Sequence, residues 1–144
     1  MNDTLVKFGY PGSLIKSYNY WSVLLRPRQV TLGSLILANH SNAHALSDLP
    51  SDEICELSDI TKQIESVLTR CFKYDKINYL MLMMVDPHVH FHVIPRYQET
   101  RNFESLDFTD ITWPGPPDLG YKVDMSKEHA NLLQQLLIDQ WSTN

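Results

Sequence analysis

Three histidines alternate with apolar residues in Pro87-His88-Val89-His90-Phe91-His92-Val93-Ile94-Pro95-Arg96, and alternation is the period of a strand. Successive side chains on a strand point to opposite faces, so His88, His90 and His92 share one side while Val89, Phe91 and Val93 turn to the core. With six histidines in 144 residues, chance yields a His-x-His-x-His about once in a hundred such chains. A neutral imidazole offers a lone pair to a metal or to phosphorus, and its N–H donates to phosphate oxygens or passes a proton to a leaving group. Same-face neighbours stand about 6 to 7 Å apart, and a straight row does not surround an ion without ligands from elsewhere. A row suits an extended phosphate chain better. The metal alternative would have to recruit His40 or His44, whose spacing fits one helical face although their surroundings, Asn39-His40-Ser41-Asn42-Ala43-His44, read as loop.

The remaining elements must hold this row. Leu14 to Tyr18 and Trp21 to Leu25 are rich in β-branched, aromatic and aliphatic residues and read as a hairpin, closed by Arg26-Pro27 because proline cannot donate to a ladder. Gly33 opens a third strand, Ser34 to Ala38. From Ser51 the period changes: Ile54, Leu57, Ile60, Ile64, Val67, Leu68 and Cys71 draw one apolar stripe down a helix ending near Phe72 to Lys73, with Ser51 as N-cap and Asp52 and Glu53 at the positive end of the dipole. The nearly unbroken apolar run Ile77 to Val85 reads as a central strand buried on both faces, its methionines filling core gaps. Asp86-Pro87 turns the chain, and the triad strand returns antiparallel because the connection is too short for a crossover. Residues 98–124 read as loop, with Trp113-Pro114-Gly115-Pro116-Pro117 excluding regular structure. A last helix, about 126–141, carries Leu132, Leu133, Leu136, Leu137 and Trp141 on a face that must dock on this chain's sheet or on a second subunit. The order βββαββα predicts an α+β fold, an antiparallel sheet of about five strands in a single domain spanning 1–144.

Composition narrows the function. A hydrophobic share of 43% with 20% charged residues is that of a soluble globular chain. Twelve Lys and Arg against seventeen Asp and Glu give a charge of −5, which provides no chain-wide basic field for a nucleic-acid polymer. No stretch reaches the roughly 18 apolar residues of a membrane span, and the first residues lack the pattern of a signal peptide. A cytoplasmic protein is expected. Cys55 and Cys71 lie sixteen residues apart in the predicted helix, roughly 24 Å along its axis. They cannot bridge, and they read as small buried hydrophobes in a reducing compartment.

His88-Val89-His90-Phe91-His92-Val93-Ile94 followed by Pro95-Arg96 resembles the His-φ-His-φ-His-φ-φ signature of the histidine triad family of nucleotide hydrolases and nucleotidyl transferases. The resemblance covers about 14–97, including the hairpin, Arg26-Pro27 before Gly33, and Asp48-Leu49 before the long helix. It implies that His90 attacks the α-phosphorus of a nucleoside phosphoester, phosphoanhydride or phosphoramidate and forms a nucleotidyl-histidine that water hydrolyses. His88 and His92 would bind phosphate oxygens and assist the leaving group. It further implies a homodimer, a small nucleotide as substrate, and neither cofactor nor metal. His92 favours a hydrolase, since related uridylyl transferases carry Gln there.

The chain departs from that pattern in three places. Many members carry a Gly-Gln pair before the triad, where this chain has Met83-Met84-Val85-Asp86-Pro87. Ser34 stands where a further histidine is common, and Arg26 where an Asn or Asp contacts ribose. Both are substrate-binding candidates. So are Leu24, with Leu35 or Ile36, as an apolar slot for a base; Arg96, which would hold a phosphate or be solvated; and Trp113, which would stack on a base, within the chain or across a dimer, or serve packing. The competing readings are a nucleotide-binding module with little turnover and a histidine-based metal site.

Overall fold

The computed structural model describes residues 1–143. Its elements in chain order are α1 (Asp3–Lys7), β1 (Leu14–Ser17), β2 (Trp21–Leu25), β3 (Leu35–Asn39), α2 (Ser51–Phe72), β4 (Lys76–Leu80), β5 (His90–Arg96), β6 (Arg101–Phe103), β7 (Leu106–Phe108) and α3 (Lys127–Ser142), with a short 3₁₀ turn at Leu46–Asp48. The fold is α+β. Five strands form an antiparallel sheet in the order β1-β2-β3-β5-β4, and β6 and β7 form a separate hairpin.

One face of the sheet carries the main core. Trp21, Val23, Leu25, Leu35, Leu37, Val89 and Val93 pack there with Ile60, Ile64, Val67, Leu68 and Phe72 of α2. Helix α3 seals the cluster with Leu133, Leu137 and Trp141, so its apolar face docks on α2 and β1 of the same chain. Gly33, at φ 88, takes the chain directly beneath Phe72; a Cβ there would stand 2.9 Å from the Phe72 ring, so both the backbone angle and the space require glycine. No helix among the described residues is long and apolar enough to cross a membrane.

The structure corrects several expectations. The apolar run 77–85 is not a central strand. It supplies β4 at the sheet edge, half-buried and ending at Leu80, and then a loop in which Met83 takes φ 45 and Met84 and Val85 are each 83% exposed. The central place belongs to β3 and β5, because β5 pairs with both β3 and β4. The triad strand starts at His90, so His88 stands in the preceding loop, and residues 81–89, not Asp86-Pro87 alone, make the connection. Residue 50, not Ser51, occupies the N-cap of α2, with no side-chain cap bond. Cys55 is an exposed thiol. Within 98–124 the hairpin β6–β7 forms around Glu104 and Ser105, both at positive φ. That geometry matches a two-residue mirror-image turn without its usual Asn or Gly, so the sequence signal was missing.

Candidate active site

The sheet's second face carries His90 and His92, with His88 in the loop just before them. Register places Ser22, Ala38 and His90 in one row across β2, β3 and β5, and Leu24, Ile36 and His92 in the next. Alternation therefore sends Ile36 toward the triad, while Leu35 joins the main core. Leu24, Ile36 and Ala38 form a small second cluster under α1, whose Leu5 is fully buried against them, with Phe8, Tyr10 and Leu14 at its margin.

Helix α1 has no counterpart in the sequence reading. The Asn2 side chain caps it by accepting from Leu5 N–H at 2.9 Å and anchors it by donating to the carbonyls of Asn39 and Ser41 at 3.0 and 2.8 Å. The helix then delivers two residues to the triad. Thr4 Oγ1 lies 2.9 Å from His88 Nδ1 and accepts from the His88 backbone N–H at 3.3 Å. The Phe8 ring sits 5.5 Å from the His90 ring and 5.9 Å from the His92 ring, centroid to centroid. Lys7 pairs with Asp86 at 2.9 Å, tying α1 to the loop before the triad.

The hydrogen bonds set the chemistry of each ring. His90, 1% exposed, has Nδ1 at 2.7 Å from the carbonyl oxygen of His88. A carbonyl only accepts, so Nδ1 carries the proton, and the neutral ring holds its lone pair on Nε2. His92 is oriented the other way: Arg26 Nε–H points at His92 Nδ1 at 3.4 Å, and since a guanidinium only donates, the proton of the neutral ring sits on Nε2. Burial, then Arg26 and then His90, push the His92 imidazole down to about 4, with Asp86 acting the other way. At neutral pH His92 is an uncharged N–H donor beside the unprotonated Nε2 face of the His90 tautomer that the His88 carbonyl fixes. The His90 and His92 rings stand 5.1 Å apart at 71°. They line a cavity of about 190 Å³ with Asp86, Leu119 and loop residues 82–85.

Arg26 is 6% exposed, and its donors reach His92, the Arg28 carbonyl at 2.6 Å and the Leu119 carbonyl at 3.3 Å. It reaches no carboxylate among the described residues. Burial and the nearby Arg28 lower its guanidinium to about 10, so it keeps its charge at neutral pH. It lines a second cavity, about 140 Å³, with Lys7, Phe8, Pro27 and Arg28.

Other candidates lie elsewhere. Arg96 is neither solvated nor open to a phosphate: Nε and Nη2 hold Asp110 at 2.7 and 3.0 Å, Nη1 holds Asn78, and Nη2 also reaches Thr112 and the Gly115 carbonyl. Trp113 flanks it in a cavity with Lys76, Asn78 and residues 114–116, by the β4 edge rather than the triad. The Ser34 hydroxyl is spent on the 31–34 turn, donating to the Thr31 carbonyl at 2.8 Å. Leu24 is on the triad face, but Leu5 already covers it. His44 packs edge-on to His88 at 5.0 Å, and His40 Nε2 meets the buried Ser22 hydroxyl at 2.8 Å. Among the described residues no three His, Cys, Asp or Glu side chains gather as metal ligands.

Comparison with known proteins agrees with the motif. The sequence matches the HIT domain over residues 21–99. The fold is similar to that of a histidine triad protein from Marinobacter aquaeolei, at 20% identity and TM-score 0.76 over 99% of this chain and 96% of that one. It is also similar to one from Bradyrhizobium japonicum, at 19% identity and TM-score 0.75 over 97% and 96%. A third match, a hypothetical histidine triad nucleotide-binding protein from Sulfolobus tokodaii, has 19% identity and TM-score 0.70 over 97% and 90%. Comparison with curated proteins gives no significant match.

Proposed function

The chain belongs to the HIT domain family, and on that premise we propose that it hydrolyses small nucleoside phosphate compounds, without a metal ion, through a nucleotidyl-histidine on His90. The carrying observation is the pair of opposed ring orientations. His90 holds its proton on Nδ1 against the His88 carbonyl, so the Nε2 lone pair is the reactive atom; His92 offers Nε2–H beside it. His90 attacks the α-phosphorus and the bond to the leaving group breaks. His92 and His88 hold phosphate oxygens through their N–H donors, stabilising charge where it builds. Water then cleaves the N–P bond and His90 recovers its lone pair. The buried cation of Arg26 orients His92 and draws the anionic substrate.

A nucleotide-binding histidine triad protein among the similar structures supports the substrate class. Two free thiols support a reducing, cytoplasmic location. The half-exposed edge strand β4, continued by Leu82 at 50% exposed and by Met84 and Val85, supports a homodimer joined along that edge.

The test is turnover of a dinucleoside tetraphosphate and an adenosine phosphoramidate by wild type and His90→Ala, each with and without EDTA. His90→Ala should lower turnover by at least about 10³-fold while nucleotide binding survives. Full activity in that variant sinks the covalent route. Tight binding without product over hours replaces hydrolase with binding module. Loss of activity with EDTA moves the histidines to a metal site.

A further inference from the structure

Arg26 is a buried cation that, among the described residues, makes no ion pair with a carboxylate. Isolated buried charges are costly, and proteins pair or neutralise them. Here the guanidinium is satisfied as a donor by two carbonyls and an imidazole nitrogen, but not as a charge. The charged group acting on it is another cation, Arg28, which is exposed, makes no ion pair among the described residues and lines the same cavity. Lys7 lines that cavity too, and its partner Asp86 balances one charge only. Lys7, Arg26 and Arg28 thus bring three cations to one cavity, in a chain whose formal charge is −5, and Arg26 carries that charge to His92 through its 3.4 Å contact. The cavity has about 140 Å³, several water volumes, and its lining residue Phe8 has its ring 5.5 and 5.9 Å from the rings of His90 and His92.

We propose that this pocket, walled by Lys7, Phe8, Arg26 and Arg28, is the subsite for the phosphate chain of an anionic leaving group, and that it makes the enzyme select phosphoanhydrides over phosphoramidates. The inference rests on the reading of His90 as nucleophile and adds the side of the scissile bond that reading left open. As His90 Nε2 bonds to the α-phosphorus, the bond to the leaving group breaks and its electron pair stays on the departing atom. A departing phosphate oxygen leaves as an anion that the cations of the pocket stabilise, and no proton is needed. A departing amine needs a proton to leave. His92 is uncharged at neutral pH and placed to hold phosphate oxygens, and the pocket beside it repels a cationic amine. Water then attacks the nucleotidyl-histidine, the N–P bond breaks with its electron pair returning to Nε2, and the water proton passes to solvent.

The experiment compares wild type with Arg28→Glu, chosen because that side chain is exposed and makes no ion pair among the described residues. Lys62→Glu, an exposed cation on the far side helix α2, controls for net charge. Two readouts are taken: the ratio of kcat/KM for a dinucleoside tetraphosphate to that for an adenosine phosphoramidate, and calorimetric binding of inorganic tripolyphosphate. Wild type should favour the anhydride by at least about tenfold, and Arg28→Glu should cut that ratio and the tripolyphosphate affinity by about tenfold each, which is about 1.4 kcal/mol. Lys62→Glu should change neither. Equal turnover of both substrates, or an unchanged ratio and affinity in Arg28→Glu, overturns the subsite and leaves the nucleophile standing. Turnover that survives His90→Ala overturns the covalent reading instead. Tripolyphosphate binding that depends on Arg28 in a protein that turns over neither substrate supports the anion pocket and removes the hydrolase. Absence of tripolyphosphate binding in wild type removes the pocket.

Discussion

Two arginines are buried almost equally, Arg26 at 6% and Arg96 at 4% exposed, in opposite electrostatic circumstances. Arg96 leaves β5 into a cage in which the Asp110 carboxylate, itself 2% exposed, meets it through two donors and three further protein acceptors take the rest. Arg26 follows β2 into a pocket of carbonyls, an imidazole and a second arginine. A cation whose charge is answered within the chain holds a loop in place; here that loop is 110–115, laid against the sheet. An unanswered cation keeps its field for an outside partner, and it sits where phosphate is expected. The difference separates an arginine bound into the fold from the one proposed for the substrate more clearly than burial does.

The comparison breaks most visibly at Arg96. Replacing it with Met leaves the Asp110 carboxylate buried and unpaired, which should cost about 3–5 kcal/mol in chemical denaturation, while the His90-dependent chemistry of whatever remains folded is unchanged. A loss below about 1 kcal/mol would put Arg96 on a level with a surface ion pair. At Arg26 the balance reverses. Arg26→Met removes a desolvated charge that lacks a counter-ion, so stability should stay within about 1 kcal/mol of wild type or rise, while kcat/KM for the anhydride falls about 10²-fold, about 2.7 kcal/mol of transition-state stabilisation. Lost stability with retained activity would exchange the two roles.

The smallest effect is on His92. Its folded imidazole titrates at about 4 against an ordinary 6.5. Between those values the unfolded chain binds a proton that the folded chain does not, so stability is full above about pH 6.5 and declines as pH falls toward 4. In Arg26→Met the second cause of the shift disappears, so the His92 ring should titrate at higher pH, followed by NMR, and the acid loss should shrink. An unmoved titration would mean that Arg26 has no part in it and that burial, with His90 and Asp86, sets it.

Much of this was legible in the residues. The alternation from His90 to Val93, the stripe of α2 and the docking face of α3 appear in the sequence as period 2 or period 3.6, because each records which side of a local element meets the core; His88 alternates in the sequence but lies in the loop before the strand. The run 77–85 misled because apolar content reports burial or an unpartnered edge alike; only pairing with β5 distinguishes them. Helix α1 is five residues long, too short for a periodic signal, and its Leu5 and Phe8 acquire meaning only once they cover Leu24 and face the histidines. Arg26 and Arg96 look alike as letters, each followed within one residue by an ordinary loop or strand end. What separates them is Asp110, fourteen residues from one and absent from the surroundings of the other.

By itself the sequence determined the three imidazoles, the common face of His90 and His92 and the family that the motif resembles, since backbone alternation along a strand needs nothing from the rest of the chain. The tertiary structure decided the state in which they work. Thr4 reaches His88 across 84 positions, and Arg26 reaches His92 across 66. Proton placement, the uncharged state of His92 and the cationic pocket at its side come from desolvation and from charges that only packing brings together, and neither leaves a mark in local spacing.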